Sequence, residues 1–365
     1  MSGAPTIRVV SNAELRAGWA PDPAEDPLSV ATIDPVKRQA LLTNPLLGPD
    51  DEAARLLVGL DGRLAGGIDL LAGEAETPDG PVPLFWGSAL RVAPEFRGRG
   101  LAEHLLRTAG SLRSGHGASA ASRMSEPLYS RLGYVDLPLQ RYVLVRRTGP
   151  VARRWLGTGK LAGAASAAGD LAAGVHRRVL SLAARRTKLE LEPHETFPPE
   201  LEPRLRERAE PFRMHRSAAW IDWALRQRFA DEPGRRQAFH VVTRGGEPVA
   251  YLLLKARVYS GVTKWQFERL DLASLVDWQI FDPREVGLEQ LALLALRAVE
   301  AWDVEALEVC VPPRTQARLG RLGFVRAGPQ HLLLLGAEGS PLARPEARDP
   351  AAWSLRPAEG DHVFS

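Results

Sequence analysis

Two seven-residue stretches, LYSRLGY at 128–134 and RLGRLGF at 318–324, constrain this chain more than any other feature. Each places Leu-Gly-aromatic at the end of a short helical pattern and just before an apolar, strand-like run. Upstream, Pro94 precedes Gly133 by 39 positions and Pro283 precedes Gly323 by 40. The order helix, strand, short helix recurs in both intervals. The period is far too long for a solenoid, so the pattern reads as two copies of one domain. A length of 365 residues agrees, being too great for one comfortable core and suited to two.

The first copy, residues 1–147, alternates strand and helix. ARLLVGLDGRLAGGIDLLAGE predicts a hairpin turning at Asp61-Gly62. VPLFWGSALRV (82–92) predicts a strand covered on both faces, since it lacks strict alternation. GLAEHLLRTAGSLRSGHG predicts an amphipathic helix ending in glycines, ASAASRM the next strand, EPLYSRLGY a short helix stopped by Gly133, and PLQRYVLVRR a returning strand. Residues 148–192 are rich in Ala, Gly and Arg and turn helical in their later half. They read either as a linker helix packed on one domain or as a basic amphipathic helix touching membrane lipid or a partner. Residues 193–336 form the second α/β pattern, with a helix at WIDWALRQRF and a hairpin turning at Gly245-Gly246. The tail, 337–365, reads as irregular.

Composition excludes several classes. The net charge of +3 is nearly balanced and gives no nucleic-acid signal. Cys310 is the sole cysteine, which rules out a disulfide framework and any cysteine-rich zinc site; in ALEVCVP it reads as a buried structural thiol. MSGAPTIRVV lacks a signal-peptide profile and no run is long enough to span a bilayer, so a cytoplasmic location is expected.

One stretch asks for chemistry. In VAPEFRGRGLAEHLL, Arg97-Gly98-Arg99-Gly100-Leu101-Ala102 follows a strand and opens a helix. A helix N-terminus presents unsatisfied N–H groups and the positive dipole end. Glycines let a phosphate approach the main chain, and arginines add forked charge at the rim. The stretch lacks the lysine and hydroxyl of a P-loop and the spacing of a dinucleotide fold, which favours a pyrophosphate held without a metal.

V-x-P-x-x-R-G-x-G-L-A resembles the main motif of the GNAT superfamily of acyl-CoA N-acyltransferases, and Tyr129, Gly133 and Tyr134 match its later Y-x-x-x-G-F/Y signature. The resemblance covers residues 7–145 well and 195–335 only by element order. It implies an α/β fold of two tandem GNAT-like domains, each a mixed, twisted central sheet flanked by helices. It also implies an acetyl (or other short acyl) group moved from acetyl-CoA to a primary amine, on a small molecule or a protein lysine, by direct attack. Arg97, Gly98, Arg99, Gly100, Leu101 and Ala102 would hold the pyrophosphate, and Val92 would offer backbone groups to the pantetheine arm. Tyr129 would protonate the departing thiolate, and a backbone N–H near Val92 would stabilise the oxyanion. No carboxylate stands on the strand before the motif, so the proton route falls to a water chain, with Ser88 as a relay and His104 or His116 as alternatives.

The Eis-type acetyltransferases pair two such units and use their C-terminal carboxylate as base. The chain is expected to lack their third domain, so that role is not carried to Ser365. Aligned on their prolines, the second copy puts Val286, Glu289 and Leu291 where the first has Arg97, Gly100 and Ala102, and Leu319 replaces Tyr129. That copy is expected to be empty of cofactor, though Asp271, Asp277, Asp282 and Trp278 are candidates for lining an amine cleft. Two other readings stay open: an acyl-CoA sensor or partner-binding pseudoenzyme, and a Fem-type aminoacyl transferase.

Overall fold

The alternating apolar runs become two mixed β-sheets in a computed structural model of the chain. The structure describes residues 4–21, 26, 32–119, 125–156, 159–206, 211–226, 236–260, 269–313, 315 and 318–359. Contacts divide the chain into two units. Met1–Pro138, Ala209–Ala230 and Gln330–Phe364 form the first, and Leu139–Arg208 with Asp231–Pro329 the second.

The first unit carries strands β1 (Thr6–Ser11), β2 (Ala53–Leu60), β3 (Arg63–Thr77), β4 (Gly80–Val92), β5 (Gly115–Ser119), β6 (Val135–Asp136), β9 (Phe212–Met214), β15 (Leu332–Gly336) and β16 (Trp353–Ser354). Its helices are α1 (Asn12–Arg16), α2 (Pro35–Leu42), α3 (Leu101–Leu112), α4 (Glu126–Arg131) and α8 (Ala218–Arg226). The second unit carries β7 (Gln140–Val145), β8 (Glu190–His194), β10 (Arg236–Arg244), β11 (Glu247–Ser260), β12 (Arg269–Ile280), β13 (Ala306–Val311) and β14 (Val325–Arg326). Its helices are α5 (Gly149–Leu156), α6 (Lys160–Arg186), α7 (Glu202–Arg206) and α9 (Leu288–Ala298). No described helix is long and apolar enough to cross a membrane.

The main path of the first sheet runs β1-β2-β3-β4-β5-β15-β6, and the second sheet runs β8-β10-β11-β12-β13-β7-β14. Along these paths neighbours are antiparallel except for one parallel pair in each, β4 with β5 and β12 with β13, and off the first path β9 and β16 also pair in parallel. The two halves therefore share one strand order. They differ from the sequence reading in where the sixth strand comes from. Residues 140–145 pair with β13 in the second sheet, and residues 332–336 pair with β5 in the first.

Boundaries drawn at 147, 192 and 336 thus give way to units with crossed segments. Residues 218–226, read as part of the second copy, form a first-unit helix that buries Trp220, Ile221 and Trp223, and Trp223 Nε1 donates to the Ala40 carbonyl at 3.1 Å. Residues 337–359 of the tail are more ordered than expected. Three short 3₁₀ turns span 341–352, and Trp353, fully buried, stacks on Phe212 with centroids 5.2 Å apart. Strand β5 begins at Gly115, so SGHG leaves the helix for the sheet, and residues 120–124 of ASAASRM lie outside the described residues.

Helix α3 explains the first core. Leu101, Leu105, Leu106 and Ala109 recur at helical spacing, and all are buried against the sheet with Ile68, Leu70 and Phe85. Each leucine so covered contributes about 1.5–3 kcal/mol. This packing fixes the N-terminus of α3 beside the end of β4.

Candidate active site

The link from β4 to α3 is held at both ends. The Ala93 N–H donates to the Ala65 carbonyl at 2.9 Å, and Phe96 is buried at the end of a 3₁₀ turn, Pro94–Phe96. The guanidinium groups of Arg63 and Arg99 lie 5.2 and 5.7 Å from the Phe96 ring centre. Gly98 and Gly100 both take φ of 76°, the left-handed region, and Gly100 is the N-cap of α3. No heavy atom lies within 4 Å of a Cβ built on either glycine, so conformation, not space, is what demands glycine there. The first-turn N–H groups of α3 have no intrahelical acceptor. Leu101 is buried, Ala102 is half-buried, and Arg97 and Arg99 are exposed at the rim. Glu103, an acid in this turn, is neutralised by Arg107 at 2.8 Å. His104 donates its backbone N–H to the Gly100 carbonyl, one turn from the cradle.

Val92 is less available than expected. Its carbonyl accepts from Arg97 Nε at 3.3 Å, and it pairs with Gly66 of β3. The irregularity in β4 comes earlier. Asp69 faces Ser88 while Gly67 faces Arg91, so β4 carries one extra residue, and Ala89 sits at φ of 51°. Such a bulge leaves a residue outside the ladder and turns main-chain groups away from β3. A left-handed alanine is a strained position, of the kind that concentrates at functional sites.

Tyr129, on α4, is 5% exposed and lies in the same apolar cluster as Phe96, Leu101 and Val92. Its ring meets Tyr134 edge-on, centroids 4.9 Å apart. The Tyr134 hydroxyl lies 2.5 Å from His116 Nδ1, while His116 Nε2 has no hydrogen-bond partner. Burial lowers the His116 pKa to about 3, and burial raises the Tyr134 phenol above its usual range. His116 is thus held neutral in the core, away from solvent.

A pH effect follows. Because the folded imidazole resists protonation, the unfolded chain binds the extra proton as pH falls below the usual histidine value. Stability should be unaffected above that value and decline from about pH 6.5 towards about pH 3, by roughly 2 kcal/mol on reaching about pH 5. Urea unfolding across this range, compared with His116→Phe, checks it. An unchanged slope in the variant would assign the acid sensitivity elsewhere.

Ser88 does not stand alone. Its Oγ accepts from Lys37 Nζ at 2.7 Å, and Lys37 Nζ also lies 2.7 Å from Asp69 Oδ2. Arg55 Nε stands 3.0 Å from Asp69 Oδ1 in an ion pair too bent to be a hydrogen bond. Arg55 and Asp69 are both almost fully buried. Burial lowers the Arg55 pKa, and the charges of Asp69 and then Asp26 work against that. Sequence reasoning missed this cluster. An aspartate inside the apolar run GGIDLL was its one available signal.

In the second unit, α9 starts after Gly287, so the residue matching Gly100 is Gly287, not Glu289. Gly287 is extended, with φ of −108°, and its N–H donates to Gln290 Oε1 at 2.7 Å. Glu289 Oε1 accepts from the Arg318 N–H. Side chains therefore occupy this helix start, and no glycine in a left-handed conformation stands there. The other alignment matches: Tyr134 N–H bonds the Tyr129 carbonyl as Phe324 N–H bonds that of Leu319. Three of the candidates for the amine cleft are engaged within the fold. Asp277 is buried and accepts from Tyr251, Trp278 is buried, and Asp282 accepts from the Arg284 N–H in a turn.

No protein-family model and no curated protein matches the chain. Solved structures do. Saccharomyces cerevisiae N-myristoyltransferase with bound myristoyl-CoA aligns at a TM-score of 0.55 and 11% identity, over 93% of this chain and 80% of that one. A probable N-acyltransferase from Enterococcus faecalis aligns at 0.52 and 10%, over 93% and 73%. A GCN5-related N-acetyltransferase from Anabaena variabilis aligns at 0.51 and 11%, over 91% and 72%. At this identity the likeness is one of fold: the chain shares the fold of these structures, two mixed sheets flanked by helices.

Proposed function

We propose that the chain is a tandem acyltransferase whose first unit moves an acyl group from acyl-CoA, acetyl-CoA being the first donor to test, to a primary amine. The observation that carries this is the pair of left-handed glycines, Gly98 and Gly100, capping α3 directly after a bulged β4. Together they aim main-chain N–H groups and a helix dipole at one point, with Arg97 and Arg99 at the rim, which suits a diphosphate. The bulge at Ala89 then supplies main-chain groups to the pantetheine arm and the thioester oxygen. The amine nitrogen attacks the thioester carbon, and a water at Ser88 carries off its proton. The C–S bond breaks with its electrons going to sulfur, and the Tyr129 hydroxyl protonates the thiolate. The second unit, with Gly287 extended and its N–H taken by Gln290, serves the fold or the acceptor side. The acyl-CoA-bound neighbour supports a CoA thioester as donor without fixing the chain length.

The burial of Tyr129 within the apolar cluster favours one second reading, an acyl-CoA sensor without turnover. Thiol release from acetyl-CoA across a panel of polyamines, amino sugars and lysine peptides separates the two. Binding without release under any amine would leave the sensor. The cradle has its own test, Gly100→Glu. A side chain at φ of 76° costs about 1–2 kcal/mol and its carboxylate repels the diphosphate, so acetyl-CoA affinity should fall about 100-fold or more by calorimetry. Unchanged affinity would put the cofactor elsewhere.

A further inference from the structure

A groove of about 550 Å³ lies between α6 and α9, wholly within the second unit. Arg146, Arg177, Arg178, Arg185 and Arg297 line it against a single carboxylate, Glu300. Its floor is apolar, with Leu180, Leu293 and Leu296 buried. It opens near the C-terminal end of α9, away from the helix start that matches the first unit's cradle. Arg146 is 3% exposed. One of its terminal nitrogens donates to the Val299 carbonyl at 3.1 Å, but Nε has no partner, and neither has Arg177 Nε. Burial and then the like charge of Arg177 pull the Arg146 guanidinium below its ordinary value, and Glu300 and Asp303 offset this only in part. A buried cation facing other cations is costly unless an anion joins it.

The outer face of α6 carries a second, independent signal. Leu171, Val175, Val179 and Leu182 are each more than half exposed. Their spacing of four, four and three residues puts them on one stripe, opposite the buried Leu180 and Ala184. Arg178 and Arg185 flank that stripe and also line the groove. An apolar stripe bordered by arginines is the pattern of a helix lying in a membrane interface.

We propose that the groove between α6 and α9 binds the phosphate headgroup of an anionic lipid while the Leu/Val stripe of α6 rests among the acyl chains. Arginine forks match phosphate oxygens, the groove floor accepts the glycerol and first methylenes, and the stripe covers itself with lipid. The assignment does not depend on acyl transfer in the first unit.

Flotation of the full chain with vesicles tests it, using phosphatidylcholine alone and phosphatidylcholine partly replaced by phosphatidylglycerol. The chain should float only with the second kind. Arg178→Gln with Arg185→Gln, both at exposed positions, should weaken binding about 25-fold, at about fivefold per charge. Val175→Asp should weaken it with every arginine intact. Calorimetry with inorganic phosphate and glycerol 3-phosphate forms the soluble arm. Failure to float with phosphatidylglycerol vesicles overturns the proposal, and so does flotation unchanged in both variants. Tight binding of glycerol 3-phosphate without flotation gives the groove to a soluble phosphate ester and overturns the lipid.

Discussion

Asp69→Asn is expected to lower the free energy of unfolding of the first unit by about 3–5 kcal/mol, a large share of a typical domain's stability. Asp69 is 1% exposed and stands between two cations, Lys37 at 2.7 Å and Arg55 at 3.0 Å. Asparagine keeps the shape and removes the charge. Lys37 can still reach water, its side chain being partly exposed, but Arg55 cannot. The charge of Asp26 offsets only part of that loss. Urea unfolding should show the first unit's transition moving to lower denaturant. The double variant Arg55→Met with Asp69→Leu should recover most of the loss, since a buried pair replaced by apolar side chains is close to neutral. If Asp69→Asn unfolds like the parent chain, the cluster does not stabilise the sheet.

That cluster marks where sequence reading stopped. Hairpins at Asp61-Gly62 and Gly245-Gly246 were legible because their backbones need positive φ, and all four residues have it. The start of α3 was legible for the same reason, since Gly98 and Gly100 stand where a strand gives way to a helix. The Leu-Gly-aromatic echo was legible because Gly133 and Gly323 close equivalent turns, at φ of 84° and 80°. Partner choice was not legible. QRYVLV and LLLLG are both short apolar strands, and nothing local says which sheet each completes. The proline alignment failed because Pro94 stands six residues before the N-cap Gly100 and Pro283 only four before Gly287. Lys37, Arg55 and Asp69 lie 14 to 32 residues from one another along the chain, so only the folded sheet brings them together.

Turnover is the sharper test of the first unit. Tyr129→Phe should keep the ring in its edge-on contact with Tyr134 and its place among Phe96, Leu101 and Val92, so the fold and the cradle survive. What it removes is one hydroxyl. If that hydroxyl protonates the leaving thiolate, kcat should fall about 10²- to 10⁴-fold while calorimetric affinity for acetyl-CoA stays within about twofold. Gly100→Glu should behave differently, weakening acetyl-CoA binding about 100-fold or more and lowering turnover along with it. A loss of affinity alone in Tyr129→Phe would make the residue a packing element of the CoA wall. Full turnover in the variant would hand thiolate protonation to solvent and leave Tyr129 as a core aromatic.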